Sequence, residues 1–324
     1  MSWMELSLDT THEGVDWVCT LVAQTIDIQD VYITEYAEIN QAESVADNAS
    51  HPSWAFTINL YLACDAYLRT RIDKILHLLS PLERTGIATA IQTNIVEDKL
   101  TNANILKPVI HRIGKRFVVL PPDVPYQLET PDQVSLRLNK SFSFGSGFHP
   151  ATILSLKLIE KYVLPGMNTL DLGSGSGILS VAMAKLGATV LALDNDSLAV
   201  QATQDAVLCN DVEQQVTVMA GSLGSGSDLG HWMNQETIDY VPTIKPTKNF
   251  DLIVANILAR VHVALAHDFQ NALRQTDAHQ GLLIASGFTV DHEENVTTAF
   301  TQAGLELVDC ERLHEWVAFA YRLV

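Results

Sequence analysis

The chain has 324 residues, 47% of them hydrophobic, and a formal net charge of −18. That length supports a large core and two domains, and no run of roughly 18 apolar residues exists to span a bilayer. So acidic a surface repels phosphate backbones, which disfavours direct nucleic-acid binding and favours a basic partner, with plain solubility as the simpler use of the same charge.

The first residues, Met1 to Asp9, alternate as a strand does and lack the basic start and apolar stretch of a signal peptide. Trp3 to Leu8 is the expected strand. Val15, Val18, Cys19, Val22 and Ile26 recur at helical spacing, with Glu13 and Asp16 in the first turn. Val31 to Tyr36 suits a second strand, residues 37–53 read as a polar loop, and Trp54, Phe56, Ile58 and Leu60 alternate as a third strand. Leu68, Ile72, Ile75, Leu76 and Leu79 form a helical stripe, which Ser80-Pro81 is expected to end. With a further strand near residues 86–92, the order is that of a ferredoxin-like α+β sandwich over residues 1–92. Residues 93–145 read as a connector, with short strands at Arg116 to Leu120 and Val134 to Leu138 around Pro121-Pro122.

From residue 146 to 324 the pattern is α/β. Predicted strands at Asn168–Leu172, Ala188–Leu193, Val216–Met219, Phe250–Ala255 and Gly281–Ser286 alternate with helices at Ile153–Tyr162, Ser176–Leu186, Leu198–Cys209, Ala259–Arg274 and Asp291–Ala303. Such alternation implies a parallel sheet covered on both faces. Leu305–Cys310 and Trp316–Tyr321 are separated by only about five residues, too few for a parallel crossover, so they form an antiparallel hairpin. That ending suits the class I methyltransferase variant of the Rossmann-like, doubly wound sheet better than a dinucleotide dehydrogenase.

The central motif is Asp171-Leu-Gly173-Ser-Gly175-Ser-Gly177, between a strand and a helix. Glycines there let the backbone turn sharply and approach a ligand, while helix N-terminal N–H groups face the same crevice. The spacing is Gly-x-Gly-x-Gly, not the Gly-x-Gly-x-x-Gly of dinucleotide folds. Asp194 ends the next strand, where a carboxylate can accept from both ribose hydroxyls. Loop, aspartate and hairpin together point to S-adenosylmethionine. The four cysteines, Cys19, Cys64, Cys209 and Cys310, are scattered and read as reduced, mostly buried thiols of a cytoplasmic protein, and no metal-site spacing is visible.

Phe144-Gly-Ser-Gly-Phe-His-Pro-Ala-Thr152, the Asp171–Gly177 loop and Val254-Ala-Asn-Ile-Leu258 together resemble the bacterial PrmA family, which methylates the large-subunit stalk-base ribosomal protein L11. The resemblance covers residues 142–324 and extends weakly to Ser2-Trp-Met-Glu-Leu6 and to the connector Arg112-Ile-Gly-Lys-Arg-Phe-Val-Val-Leu-Pro121. It implies that the small domain recognises substrate and that residues 144–152 close over S-adenosylmethionine. Cofactor contacts would come from Phe144, Gly145, Thr152, Asp171, Gly173, Gly175, Gly177, Asp194, Ser222 and Asn256. Asn256 would also be the catalytic residue, beside the methyl and the incoming lysine or α-amine. The partner implied is a basic ribosomal protein, free rather than RNA-bound.

His149 is either a packed loop histidine or a reacting group, and Thr152 is either a cofactor contact or a helix cap. Ser286-Gly287 read as turn residues. Asn139-Lys140-Ser141 replaces the family's usual Asp-Pro-Gly, and Ala151 stands where a second threonine is usual. These departures leave open a methyltransferase for another protein or a small molecule, and a reading of another class is a non-catalytic cofactor-binding regulatory module.

Overall fold

The structure is a computed structural model that describes residues 2–36, 54–100, 109–224, 242–276 and 280–324. The polar stretch 37–53 lies outside the described residues, as do residues 225–241. The chain divides into two compact units, Met1–Val109 with Lys140–Phe144, and Ile110–Asn139 with Gly145–Val324.

The N-terminal unit runs β1 (Trp3–Thr10), α1 (Gly14–Val22), β2 (Val31–Glu35), β3 (Phe56–Ala63), α2 (Leu68–Arg84) and β4 (Gln92–Val96). Its sheet order is β2-β3-β1-β4, antiparallel throughout, which is the ferredoxin-like arrangement. Leu6, Leu8, Ile58 and Leu60 supply its buried alternate positions, and Ile75 and Leu79 bury one stripe of α2.

Three local expectations change. Helix α2 continues through Pro81 to Arg84. Proline has no N–H to give the carbonyl four residues back, but the Ser80 hydroxyl donates to that His77 carbonyl at 3.0 Å. The last strand starts at Gln92, and only Ala88 of the earlier stretch bridges to Thr10. The cysteines are free, but only Cys19 is buried, and Cys64 just past β3 is exposed.

The C-terminal unit opens with a small sheet of β5 (His111–Ile113), β6 (Phe117–Leu120) and β7 (Val134–Arg137). Then follow α3 (Pro150–Tyr162), β8 (Asn168–Leu172), α4 (Ile178–Lys185), β9 (Thr189–Asp194), α5 (Ser197–Cys209), β10 (Val216–Ala220), β11 (Ser222–Leu223), β12 (Thr243–Ile244), β13 (Leu252–Asn256), α6 (Ala259–Ala272), β14 (Leu282–Thr289), α7 (Glu293–Gln302), β15 (Leu305–Leu313) and β16 (Trp316–Leu323). The large sheet has the order β10-β9-β8-β13-β14-β16-β15. Its first five strands are parallel, and β16 and β15 are antiparallel, as the short connection requires.

Both faces are packed. Leu252 and Val254 join a core with Leu154, Leu158, Val181 and Val207 from α3, α4 and α5, whereas Ile253 and Ala255 join another with Leu265, Phe269 and Phe300 from α6 and α7. Successive residues of β13 thus face opposite helical layers. The chain leaves β8 for β9 and β10 on one side and returns to β13 on the other. The carboxyl ends of β8 and β13 therefore flank the switch point, where ligands bind in such sheets.

Candidate functional site

The loop after β8 turns on Gly173, Gly175 and Gly177, all with positive φ. Gly173 and Ser174 donate their N–H groups to the Leu193 carbonyl at 2.8 and 3.0 Å, pinning the loop to the end of β9. A Cβ at Gly173 would lie 2.6 Å from Ile257 Cγ2, so its bareness lets the loops after β8 and β13 meet. At Gly177 the close approach is helical: a Cβ would lie 2.9 Å from Thr203 Cα on α5.

Asp194 closes the same corner. Its carboxylate accepts from the Gly175 N–H at 2.9 Å and from the Asp196 N–H at 3.0 Å. Burial raises its pKa above the ordinary aspartate value, while these backbone donors oppose the rise. Two donors use about half of a carboxylate's roughly four acceptor positions. Asp171 is fully buried and accepts from the Ser180 hydroxyl at 2.5 Å on Oδ2. Burial pushes its pKa up to about 7, and Oδ1 has no hydrogen-bond partner among the described residues. Gly221, just beyond β10, donates to the Asp194 carbonyl at 2.8 Å, which brings the buried Ser222 beside that strand end.

The Gly145–Thr152 segment is tied to the glycine loop by the Ser176 hydroxyl, which donates to the Gly145 carbonyl at 2.5 Å. Phe144 belongs to the N-terminal unit, where its ring meets Trp17 edge-on at 6.1 Å. His149 is the N-cap of α3: its Nδ1 accepts from the Ala151 N–H at 3.1 Å. Burial drives its pKa down to about 3, so it is a neutral cap, and its ring stands edge-on to Trp316 at 4.3 Å. The capping role is thus filled by His149. Thr152 lies inside the first turn, and its Oγ1 accepts from Asn256 Nδ2 at 3.3 Å.

That contact orients the carboxamide at the end of β13. With Nδ2 directed to Thr152, Asn256 Oδ1 is buried and has no hydrogen-bond partner among the described residues. A buried acceptor left open costs about 1–3 kcal/mol, so it marks a place where a donor belongs.

Sequence reasoning passed over a second polar layer. Ser286 and Gly287 are not a turn after β14 but lie within it, where the pairing with β16 slips between Ala285 and Phe288. The Ser286 hydroxyl shares a 2.5 Å hydrogen bond with Ser155 of α3, and its carbonyl meets His262 Nε2 at 2.8 Å. The available signal was polar Ser155 and His262 on otherwise apolar helix stripes. Among the described residues no cluster fit to hold a metal is present, and no helix is long and apolar enough to cross a membrane.

Comparison with known proteins agrees over the whole chain. The family model described as "Ribosomal protein L11 methyltransferase (PrmA)" matches residues 2–323. The ribosomal protein L11 methyltransferase of Chloroflexus aurantiacus is 38% identical, with 99% of this chain and 98% of the relative covered. That of Herpetosiphon aurantiacus is 35% identical, with 99% of each covered. The crystal structure of a ribosomal protein L11 methylase from Lactobacillus delbrueckii subsp. bulgaricus superposes with a TM-score of 0.52 at 26% identity, covering 66% of this chain and all but 1% of the other, at 99%. With its terminal antiparallel hairpin and its glycine loop at the switch point, the chain belongs to the PrmA family of S-adenosylmethionine-dependent ribosomal protein L11 methyltransferases.

Proposed function

We propose that this protein methylates lysine ε-amines, the α-amine, or both, on ribosomal protein L11, acting in the cytoplasm on the free protein. The observation that carries the reading is the open Oδ1 of Asn256, held by Thr152 at the carboxyl end of β13. The net charge of −18 suits a basic acceptor and disfavours one already wrapped in RNA. The N-terminal α+β unit is the candidate substrate-recognition domain.

The residues present fit S-adenosylmethionine. Asp194 has acceptor positions left for two ribose hydroxyls, and Asp171 Oδ1 is a buried acceptor in want of a donor. The bare Gly173 keeps the loop backbone close to Ile257, and the buried Ser222 would lie at the adenine side. Gly145, Thr152, Gly175 and Gly177 complete the set on this unit that would hold the cofactor. When bound, the cofactor supplies an electrophilic methyl group on a sulfonium.

The chain's own part is to present a nucleophile with a free lone pair. A lysine amine has an unperturbed pKa of about 10.4 and arrives protonated. Transfer into a pocket shielded from water favours its neutral form. Asn256 Oδ1 accepts one amine N–H and so fixes the direction of the lone pair, which is a proximity and orientation effect.

The test is incubation of purified protein with isotopically labelled S-adenosylmethionine and recombinant L11, with the label located by mass spectrometry. Label on L11 amines supports the reading. Label elsewhere, or cofactor binding with no transfer, sinks it. Asn256→Ala should lower kcat on the order of a hundredfold, a larger effect than on the Kd for S-adenosylmethionine.

A further inference from the structure

The polar side chain at position 262 sits where packing alone would favour a hydrocarbon. His262 is fully buried on α6, with ring centroids at 5.3 Å from Phe288, 5.8 Å from Phe300 and 6.1 Å from Phe269. Burial lowers its pKa to about 4, against the backbone of Ser286 and Ile257, so the ring is neutral. With Nε2 at 2.8 Å from the Ser286 carbonyl, that nitrogen carries the proton, and Nδ1 makes no hydrogen bond among the described residues. A leucine would fill the same cage without leaving a ring nitrogen open. The Ser286 carbonyl would keep a donor in any case, because the Ile257 N–H reaches it at 3.1 Å.

The same carbonyl lies at the irregularity that supports Asn256. Asn256 is in register with Ser286, and the next residue, Gly287, has φ +92°. A Cβ there would lie 2.9 Å from Asn256 Oδ1 and 2.5 Å from the Ile257 carbonyl, so the bare Gly287 backbone forms the floor beneath the carboxamide. A bulge that re-aims a side chain is a common device beside active sites. The Ser286 hydroxyl, tied to Ser155, holds the other side of the bulge to α3, the helix that carries Thr152.

We propose that His262 is a positioning residue: its Nε2–H clamps the Ser286 carbonyl, holds the Ser286–Gly287 bulge in place, and thereby sets where Asn256 presents its acceptor oxygen. This rests on the reading of Asn256 given above. Its role is in the orientation of the amine, not in cofactor binding.

His262→Leu in the full chain should lower kcat for L11 methylation about tenfold, since small misplacements of an orienting group cost rate. The KM for L11, the calorimetric Kd for S-adenosylmethionine and the melting temperature should hold. His262→Gln, whose amide can donate to the same carbonyl, should recover most of the turnover. On an Asn256→Ala background, His262→Leu should cost nothing further, because the two act as one unit. A purely structural histidine predicts unchanged kcat in His262→Leu, and that result overturns the proposal, as does an undiminished loss on the Asn256→Ala background. If His262→Leu does not fold, His262→Met is judged by the same criteria. Full turnover in Asn256→Ala alone would instead remove the reading of Asn256 on which this one stands.

Discussion

Asp194, Asn256 and His149 were all visible as residues before the fold was known, but their tasks divide differently in three dimensions. Asp194 holds the glycine loop through Gly175, in addition to the ribose contact proposed for it. Asp194→Asn should therefore weaken S-adenosylmethionine binding about ten- to a hundredfold, the value of roughly 1.5–3 kcal/mol for hydrogen bonds to a charged group. Isothermal calorimetry reads it, and an unchanged Kd would remove Asp194 from the ribose site.

Three buried groups set a pH signature. His149 and His262 have folded pKa values of about 3 and about 4, below the ordinary value of 6.5. Below about 6.5 the unfolded chain takes up protons that the folded chain refuses, so each histidine lowers stability as pH falls towards its folded pKa. Asp171 has the opposite sign. Its pKa of about 7, against 3.8, lets the folded chain hold the extra proton, so its contribution declines as pH rises from about 3.8 to 7. Between pH 4 and 6.5 two histidines outweigh one aspartate. Together these groups make stability rise from pH 4 to about 6.5 and level off near pH 7, where the histidine and aspartate slopes cancel. Urea midpoints measured across pH 4–8 check this, and His262→Gln should flatten the acid limb.

At the scale of elements, the glycine loop serves two masters. Gly173 makes room for Ile257, whereas Gly177, with φ +81°, admits α5 against the start of α4. Gly177→Ala combines left-handed backbone strain with a Cβ 2.9 Å from Thr203 Cα. The expected cost is about 1–3 kcal/mol, or several degrees in melting temperature. The loss should persist with or without cofactor, unlike the loss at Asp194. Most elements were legible because their apolar periods are clean, as in β8, β13 and the terminal hairpin. Helix α2 was read as ending at Pro81 because the sequence rule about proline ignores the hydroxyl of Ser80. The bulge in β14 was invisible because Ser-Gly after an apolar run has the same composition as a turn, and only pairing with β16 distinguishes the two.

For the whole molecule, charge is the property that sequence alone carries to a kinetic expectation. A net charge of −18 would steer a basic acceptor at a distance that salt screens. The KM for L11 should rise with ionic strength between 50 and 500 mM while kcat stays level. A KM that does not change with salt would mean that local contacts, not the overall field, capture the substrate.

Periodicity and motif spacing were enough to indicate the doubly wound sheet and the cofactor class, because these depend on patterns local to strands and helices, whereas the family was legible through the resemblance of residues 144–152, 171–177 and 254–258. The loop glycines and Asp194 could be named from the same patterns, and Asn256 from the family resemblance alone. Tertiary structure alone decided that His149 caps a helix, that Thr152 orients Asn256, and that Ser155, His262, Ser286 and Gly287 form a layer beneath it. Those relations join residues 104, 131 and 24 positions apart, and they exist only where separate elements come within hydrogen-bond distance. No pattern along the chain encodes that distance.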